Sequence, residues 1–262
     1  MKPRRRAFIV GLVASIVAGA TPLAVPASAA PPAQPATQPS ISPEASAAVA
    51  AMGKTLQSPA YSVQVRTIRV SEQGGDWIHV FHTVKVTVRR PDRLLAVRTG
   101  DDGESELFYD GKTLTVALDG GKKYATIPVP GTIEGMLREA VGKLGVDFPI
   151  ADLFVDDPAK AFMSGITSGR LVGTATIDGV ECQHFVFGQP SIELELWVEK
   201  NDRALPRRLI VTYRSLPGEP EFIAEFTDWN FDVHPTDAEF AFQPPAGAQK
   251  VALRPASAAG GK

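Results

Sequence analysis

From residue 61 onward the apolar positions of this chain recur every second residue, and that period dominates the sequence. Tyr61, Val63 and Val65 alternate with Ser62, Gln64 and Arg66, the pattern of a strand with one buried face. Ile78, Val80, Val84, Val86 and Val88 share one face of a long strand that His82 interrupts. Shorter strands are predicted at 94–99, 106–109, 113–118 and 122–127. Their separators are Asp101-Asp102-Gly103, Asp110-Gly111 and Asp119-Gly120-Gly121, residues that tolerate the positive φ of hairpin turns. Strands resume near Gly169 and are predicted to run to Phe242, with turns at Asp178-Gly179, Asn201-Asp202 and Pro217-Gly218.

Two stretches follow a helical period instead. Ser42, Pro43 and Glu44 supply an N-cap hydroxyl, a first-turn proline and an acid at a helix start. Ala45, Ala48, Val49, Met52 and Leu56 follow at helical spacing, and Pro59 ends it. In mid-chain, Ile133, Met136, Leu137, Ala140, Val141 and Leu144 fit an amphipathic helix. A second helical piece runs from the Asp157 cap and Pro158 through Phe162 and Met163 to Gly165. No βαβ alternation occurs, so a parallel sheet is not expected. The prediction is a mainly β fold: one strongly curved antiparallel sheet of about eleven strands, an unclosed half-barrel. Its leading helix and helical insertion would lie on the concave face as plug and lid.

The first residues read as an address. Lys2, Arg4, Arg5 and Arg6 precede an uncharged run from Ala7 to Ala20, and Ala27-Ser28-Ala29 forms a small-residue cleavage site. About fourteen apolar residues fall short of a bilayer span; an uncleaved anchor is the alternative. Arg5-Arg6-Ala7-Phe8-Ile9 partly resembles a twin-arginine export signal, and the route stays open between that and the general one. The expected organisation is a signal peptide at 1–29, a Pro/Ala-rich linker at 30–41, one folded domain at 42–250 and a flexible tail at 251–262. The only cysteine is Cys182, so no lipid-anchor cysteine follows the apolar run. A soluble periplasmic product, monomeric, is the expectation.

Charge narrows the partners. With 27 Lys plus Arg against 29 Asp plus Glu, the chain has no bulk attraction for nucleic acid. A single cysteine excludes an internal disulfide framework. The 23 glycines and 22 prolines suit a turn-rich β protein. Candidate chemistry is sparse. His79 and His82 lie three apart in a strand, on opposite faces, and cannot share a metal; both read as surface or rim residues. Cys182 and His184 share a face and could form a nucleophilic pair, but Val180 and Val186 on that face argue for a buried structural thiol. Asp101-Asp102 and Asp156-Asp157 sit where carboxylates cap backbone N–H groups. Arg89-Arg90 and Arg207-Arg208 read as rim charges. No catalytic residue, metal or cofactor is nominated.

Element order over roughly residues 43–245 resembles the LolA/LolB-like lipoprotein-carrier superfamily of the bacterial periplasm. Phe108-Tyr109-Asp110-Gly111-Lys112 before a short strand is similar to phrases of that superfamily. So is Leu196-Trp197-Val198-Glu199 leading to Leu205-Pro206-Arg207-Arg208. The resemblance is strongest to an uncharacterised exported branch. It implies a non-enzymatic carrier or sensor of a lipid or lipoprotein acyl chain, with handover between membranes. The concave wall would be Ile192, Leu194, Leu196, Val198, Leu209, Val211, Tyr213, Phe222 and Phe226, and the lid Met136, Leu137, Val141, Phe162 and Met163. The alternatives are a solidly packed core, an envelope-stress module that binds a membrane protein, and a Cys182/His184 hydrolase.

Overall fold

The computed structural model describes residues 40–144 and 148–252. The expected signal peptide, nearly all of the 30–41 linker and the end of the tail lie outside them. Six strands come first: β1 (Ala60–Gln73), β2 (Asp76–Arg89), β3 (Arg93–Gly100), β4 (Gly103–Tyr109), β5 (Thr113–Leu118) and β6 (Lys123–Pro128). The leading helix α1 spans Pro43–Leu56, and the insertion comprises α2 (Ile133–Leu144), a 3-10 turn at Ala151–Leu153 and α3 (Pro158–Phe162). Then come β7 (Ser168–Ile177), β8 (Val180–Gly188), β9 (Glu193–Glu199), β10 (Pro206–Thr212), β11 (Glu221–Asn230) and β12 (Gln249–Lys250).

Among the described residues all twelve strands form one unclosed sheet, ordered β12-β6-β5-β4-β3-β2-β1-β11-β10-β9-β8-β7. Two antiparallel meanders, β1 to β6 and β7 to β11, are joined where β11 returns to pair with β1. The half-barrel expected from the alternating pattern is therefore the architecture found, with corrections at its C-terminal end. The regular strands stop at Asn230, not Phe242. Phe242 instead packs on the outer face against Phe108 and Tyr124, with ring centres 5.4 and 5.0 Å apart. β12 then pairs with β6 in parallel, through Gln249 N donating to Lys122 O at 2.8 Å and Val251 N to Tyr124 O at 2.8 Å. A two-residue strand has no period for sequence to display, which is why the count rose from eleven to twelve.

The alternation places one face of the sheet against the helices. Val84, Val86 and Val88 stand opposite Val65, Val63 and Tyr61, and Phe226, Ala224 and Phe222 continue that face on β11. These residues and the apolar sides of α1, α2 and α3 belong to one core. The outer face carries ion pairs instead. Glu225 accepts from Arg66 and from Arg208, each at 2.7 Å, and the Arg208 guanidinium lies 5.5 Å over the Trp197 ring.

Two outcomes check this arrangement. Phe226→Ala should cost about 3–5 kcal/mol in urea unfolding because it empties buried core, whereas Val141→Ala should stay within about 0.5 kcal/mol. Burial resists ionisation of Glu225, but the Arg66 and Arg208 bonds outweigh it and hold the carboxyl below the usual 4.5. Its contribution is thus fully present above that ordinary value and fades as pH falls through the lowered one. Melting temperatures should show Glu225→Gln less stable than wild type at about pH 6, with the gap narrowing towards about pH 3.

Candidate functional site

The concave face is built by period-two alternation and closed by helices whose starts are locally encoded. Ser42 Oγ accepts from Ala45 N at 3.2 Å and Pro43 opens α1. Asp157 Oδ1 accepts from Lys160 N at 3.0 Å and Pro158 opens α3. The two helices touch at Gly53, where an added Cβ would stand 2.6 Å from Ala159 Cβ; only glycine permits that approach. The N-terminal end is pinned to the sheet edge by Ser42 N donating to Gly169 O at 2.8 Å and Gly169 N to Ser40 O at 3.1 Å.

Of the nine expected wall residues, Leu194, Leu196, Val198, Leu209, Val211, Phe222 and Phe226 are buried, and Ile192 and Tyr213 are half-buried against the same core. Met136, Leu137 and Phe162 face that core from the helices, with Met163 half-buried beside them. Phe162 meets Phe187 edge-on at 5.2 Å. Val141 is a correction: it is 48% exposed. At about 100° per residue it falls roughly 80° around α2 from Ile133, outside the narrower arc of Ile133, Met136, Leu137 and Ala140 that is buried. In this conformation the cover's own side chains occupy the concave face. Two cavities of about 400 and 440 Å³ lie elsewhere, and none of the nine wall residues lines either.

Polar ties join the cover to the sheet and its turns, among them Thr55 Oγ1 donating to Arg203 O at 2.6 Å and Ile133 N to Pro91 O at 3.2 Å. Arg90 reaches inward, donating from Nη2 to Leu56 O at 2.8 Å, at the end of α1, and from Nη1 to Phe154 O at 3.0 Å, just past the 3-10 turn. Asp156 Oδ1 lies 3.4 Å from the same nitrogen. Tyr61 Oη donates to Leu153 O at 3.4 Å and Tyr109 Oη to Pro130 O at 2.6 Å. Burial, reinforced by the Asp92 charge, pushes the Tyr109 phenol up to about 12, so it remains a donor at any physiological pH. Arg90 was expected as a rim charge, but it turns inward and its side chain is only 11% exposed. The signal was present: Arg90 continues the inward set Val84, Val86, Val88 by the same step of two.

His82 is a similar correction. It lies on that inward set and is buried, whereas His79 is exposed. His82 Nε2 sits 2.8 Å from Asp102 Oδ1 and 2.7 Å from Arg98 Nη1. Burial opposes ionisation of Asp102, but its bonds to His82 and Arg98 prevail and hold it below the usual carboxylate range. Asp102 is thus an ion-pair partner rather than a turn cap, while Asp101 Oδ2 accepts from Phe81 N at 2.9 Å. On the outer face, His184 is stacked on Trp197 at 3.9 Å and bonded to Glu195 at 2.7 Å. Cys182 is buried with Ile177 and Trp197, its Sγ pointing to Val180 O at 3.5 Å. Burial pushes the thiol up, so thiolate chemistry is disfavoured there. Among the described residues no cluster of three metal-ligating side chains occurs, and no helix is long and apolar enough to cross a membrane.

No curated protein matches the chain in sequence. Among solved structures, the chain is similar to lipoprotein LppX of Mycobacterium tuberculosis, at 16% identity and TM-score 0.48 over 73% of this chain and 98% of that one. It is similar to a LolA superfamily protein of Nitrosomonas europaea, at 11% identity and TM-score 0.39 over 76% and 98%. A third is the MucA/MucB complex of Pseudomonas aeruginosa, at 16% identity and TM-score 0.42, where the match covers 79% of this chain and 63% of that one. The family model described as "Predicted periplasmic protein (DUF2092)" matches residues 45–254, and the chain belongs to that family.

Proposed function

We propose that this protein is a non-enzymatic periplasmic carrier or sensor of an acyl chain, which takes the place of the helical cover on the concave wall. The observation that carries the reading is the distribution of methionine. The sequence has four methionines, and every one after Met1 lies on the cover: Met52 on α1, Met136 on α2 and Met163 at the end of α3. The wall uses branched and aromatic side chains instead. Methionine is unbranched and repacks at low cost, so the chain concentrates its most adaptable apolar residue on the surface that must release and re-cover the wall.

A sixteen-carbon chain gains about 12 kcal/mol on leaving water, which offsets part of the cost of uncovering the buried side chains of the helices. Arg90 biases the exchange towards the covered state, because it holds the ends of both α1 and the 3-10 turn by hydrogen bonds that release of the cover would break.

Palmitate should displace a fluorescent fatty acid from the protein, and native mass spectrometry of material from its own periplasm should show a co-purifying lipid. Absence of both would remove the carrier reading. Cys182→Ala should bind as wild type does; loss of a turnover-type activity in that variant would instead revive the hydrolase alternative. Arg90→Lys keeps the charge but cannot span both carbonyls. It should lower the melting temperature and tighten apparent palmitate binding about tenfold, since less of the population is covered. A lower melting temperature with unchanged affinity would make Arg90 a purely structural residue.

A further inference from the structure

The β1–β2 hairpin runs past the sheet to which it belongs. β1 last pairs with β11 at Val70 opposite Glu221, and β2 last pairs with β3 at His82 opposite Gly100. Beyond Val70 on β1 and its partner His79 on β2, residues 71–78 form a two-stranded ribbon, paired only to itself. Gly74 and Gly75, at φ 65° and 94°, turn the chain as a two-residue hairpin loop requires. At about 3.3 Å per residue the ribbon and its turn extend roughly 10–13 Å beyond the end of β11.

Among the described residues, the largest exposed apolar side chains lie at this tip and its base. Trp77 is 55% exposed, Phe81 50% and Ile78 39%, and Leu216 in the adjacent β10–β11 turn is 49% exposed. The two segments adjoin: the Cβ position of Gly218 lies 3.8 Å from Trp77 Cη2. On the ribbon Trp77 projects from one face and Ile78 from the other, while Phe81 lies at its base, where Asp101 N donates to Phe81 O at 3.1 Å. A rigid protein surface covers one face of such a ribbon. A fluid medium envelops both.

The geometry points to a bilayer interface as the partner of this tip, with Trp77 and Ile78 entering the headgroup region of a zwitterionic membrane. Tryptophan favours that zone because its ring is apolar and its N–H is not, and the ribbon's reach matches the roughly 5–10 Å depth of interfacial insertion. The lipid charge follows from the sequence. Glu72 and Asp76 lie in the ribbon, and no Lys or Arg occurs between Arg69 and Lys85, so anionic headgroups are repelled. The tip also adjoins the wall, since Arg69, opposite Phe222 in the register, lies with its guanidinium 5.2 Å over that ring. The inference gains its purpose from the carrier reading, because a loaded wall would then open next to the membrane, but its geometry stands apart from it.

The test uses the chain as the cell exports it, floated with phosphatidylcholine vesicles. Wild type should float, should still float in about 0.5 M salt and should bind phosphatidylglycerol vesicles less well. Trp77→Ser/Ile78→Ser should lose about tenfold in partitioning at an unchanged melting temperature, since both side chains are exposed. Brominated phosphatidylcholine should quench the emission of wild type more than that of Trp77→Phe. Failure of wild type to float, or equal flotation of the double variant, would overturn the inference. So would a lipid-free dimer abolished by the double substitution, which would assign the tip to a second copy. The two proposals separate cleanly: a chain that floats but binds no fatty acid keeps the docking tip and loses the carrier.

Discussion

An open sheet with one apolar face must have that face covered, and this requirement organises the whole molecule. Closing the sheet on itself would have removed the need. Instead β7 and β12 remain as separate edges, and α1, α2 and α3 supply the missing side of the core. The cover belongs to the same core as the wall, yet it is attached by polar ties at its ends. It is the one part of the core whose removal would leave the sheet's hydrogen-bonded ladder intact.

That division of labour is visible in side-chain chemistry. The wall draws on Leu, Val, Ile and Phe, which hold a fixed shape, while the helices carry Met52, Met136 and Met163. Glycine at position 53 lets α1 and α3 approach so closely that they form one unit. Arg90 then joins that unit to the sheet. Its Nε is buried without a hydrogen-bond partner, so the tie is made by an imperfectly satisfied cation, which is costly to bury.

Much of this was legible in the sequence, for reasons that also explain what was not. Alternation in Tyr61 to Val65, in Val84 to Val88 and in Ile192 to Val198 marked the strands and their inward face, because a half-buried strand has no other way to bury apolar area. Helix starts were readable at Ser42-Pro43 and Asp157-Pro158, where the cap is a local hydrogen bond. Arg90 and His82 were misplaced because residue type was weighed above parity: each occupies an inward position that the neighbouring valines already defined. Val141 was misplaced because a periodic stripe gives the side of a helix but not the width of the arc that its partner covers. The parallel pairing of β12 depends on contacts between residues 123–124 and 249–250, which no local pattern encodes. The hairpin's overhang was equally hidden, since it depends on where β3 and β11 stop.

The central claim is that cover and ligand alternate on one wall. Spin labels at Val141→Cys on α2 and Lys85→Cys on the outer face of β2, in a Cys182→Ala background, would report the separation of cover and sheet by pulsed electron resonance. Palmitate should shift the distance distribution to a longer population, in proportion to occupancy. A distribution unchanged at saturating palmitate would contradict the account, because the guest would then be bound without displacing the helices.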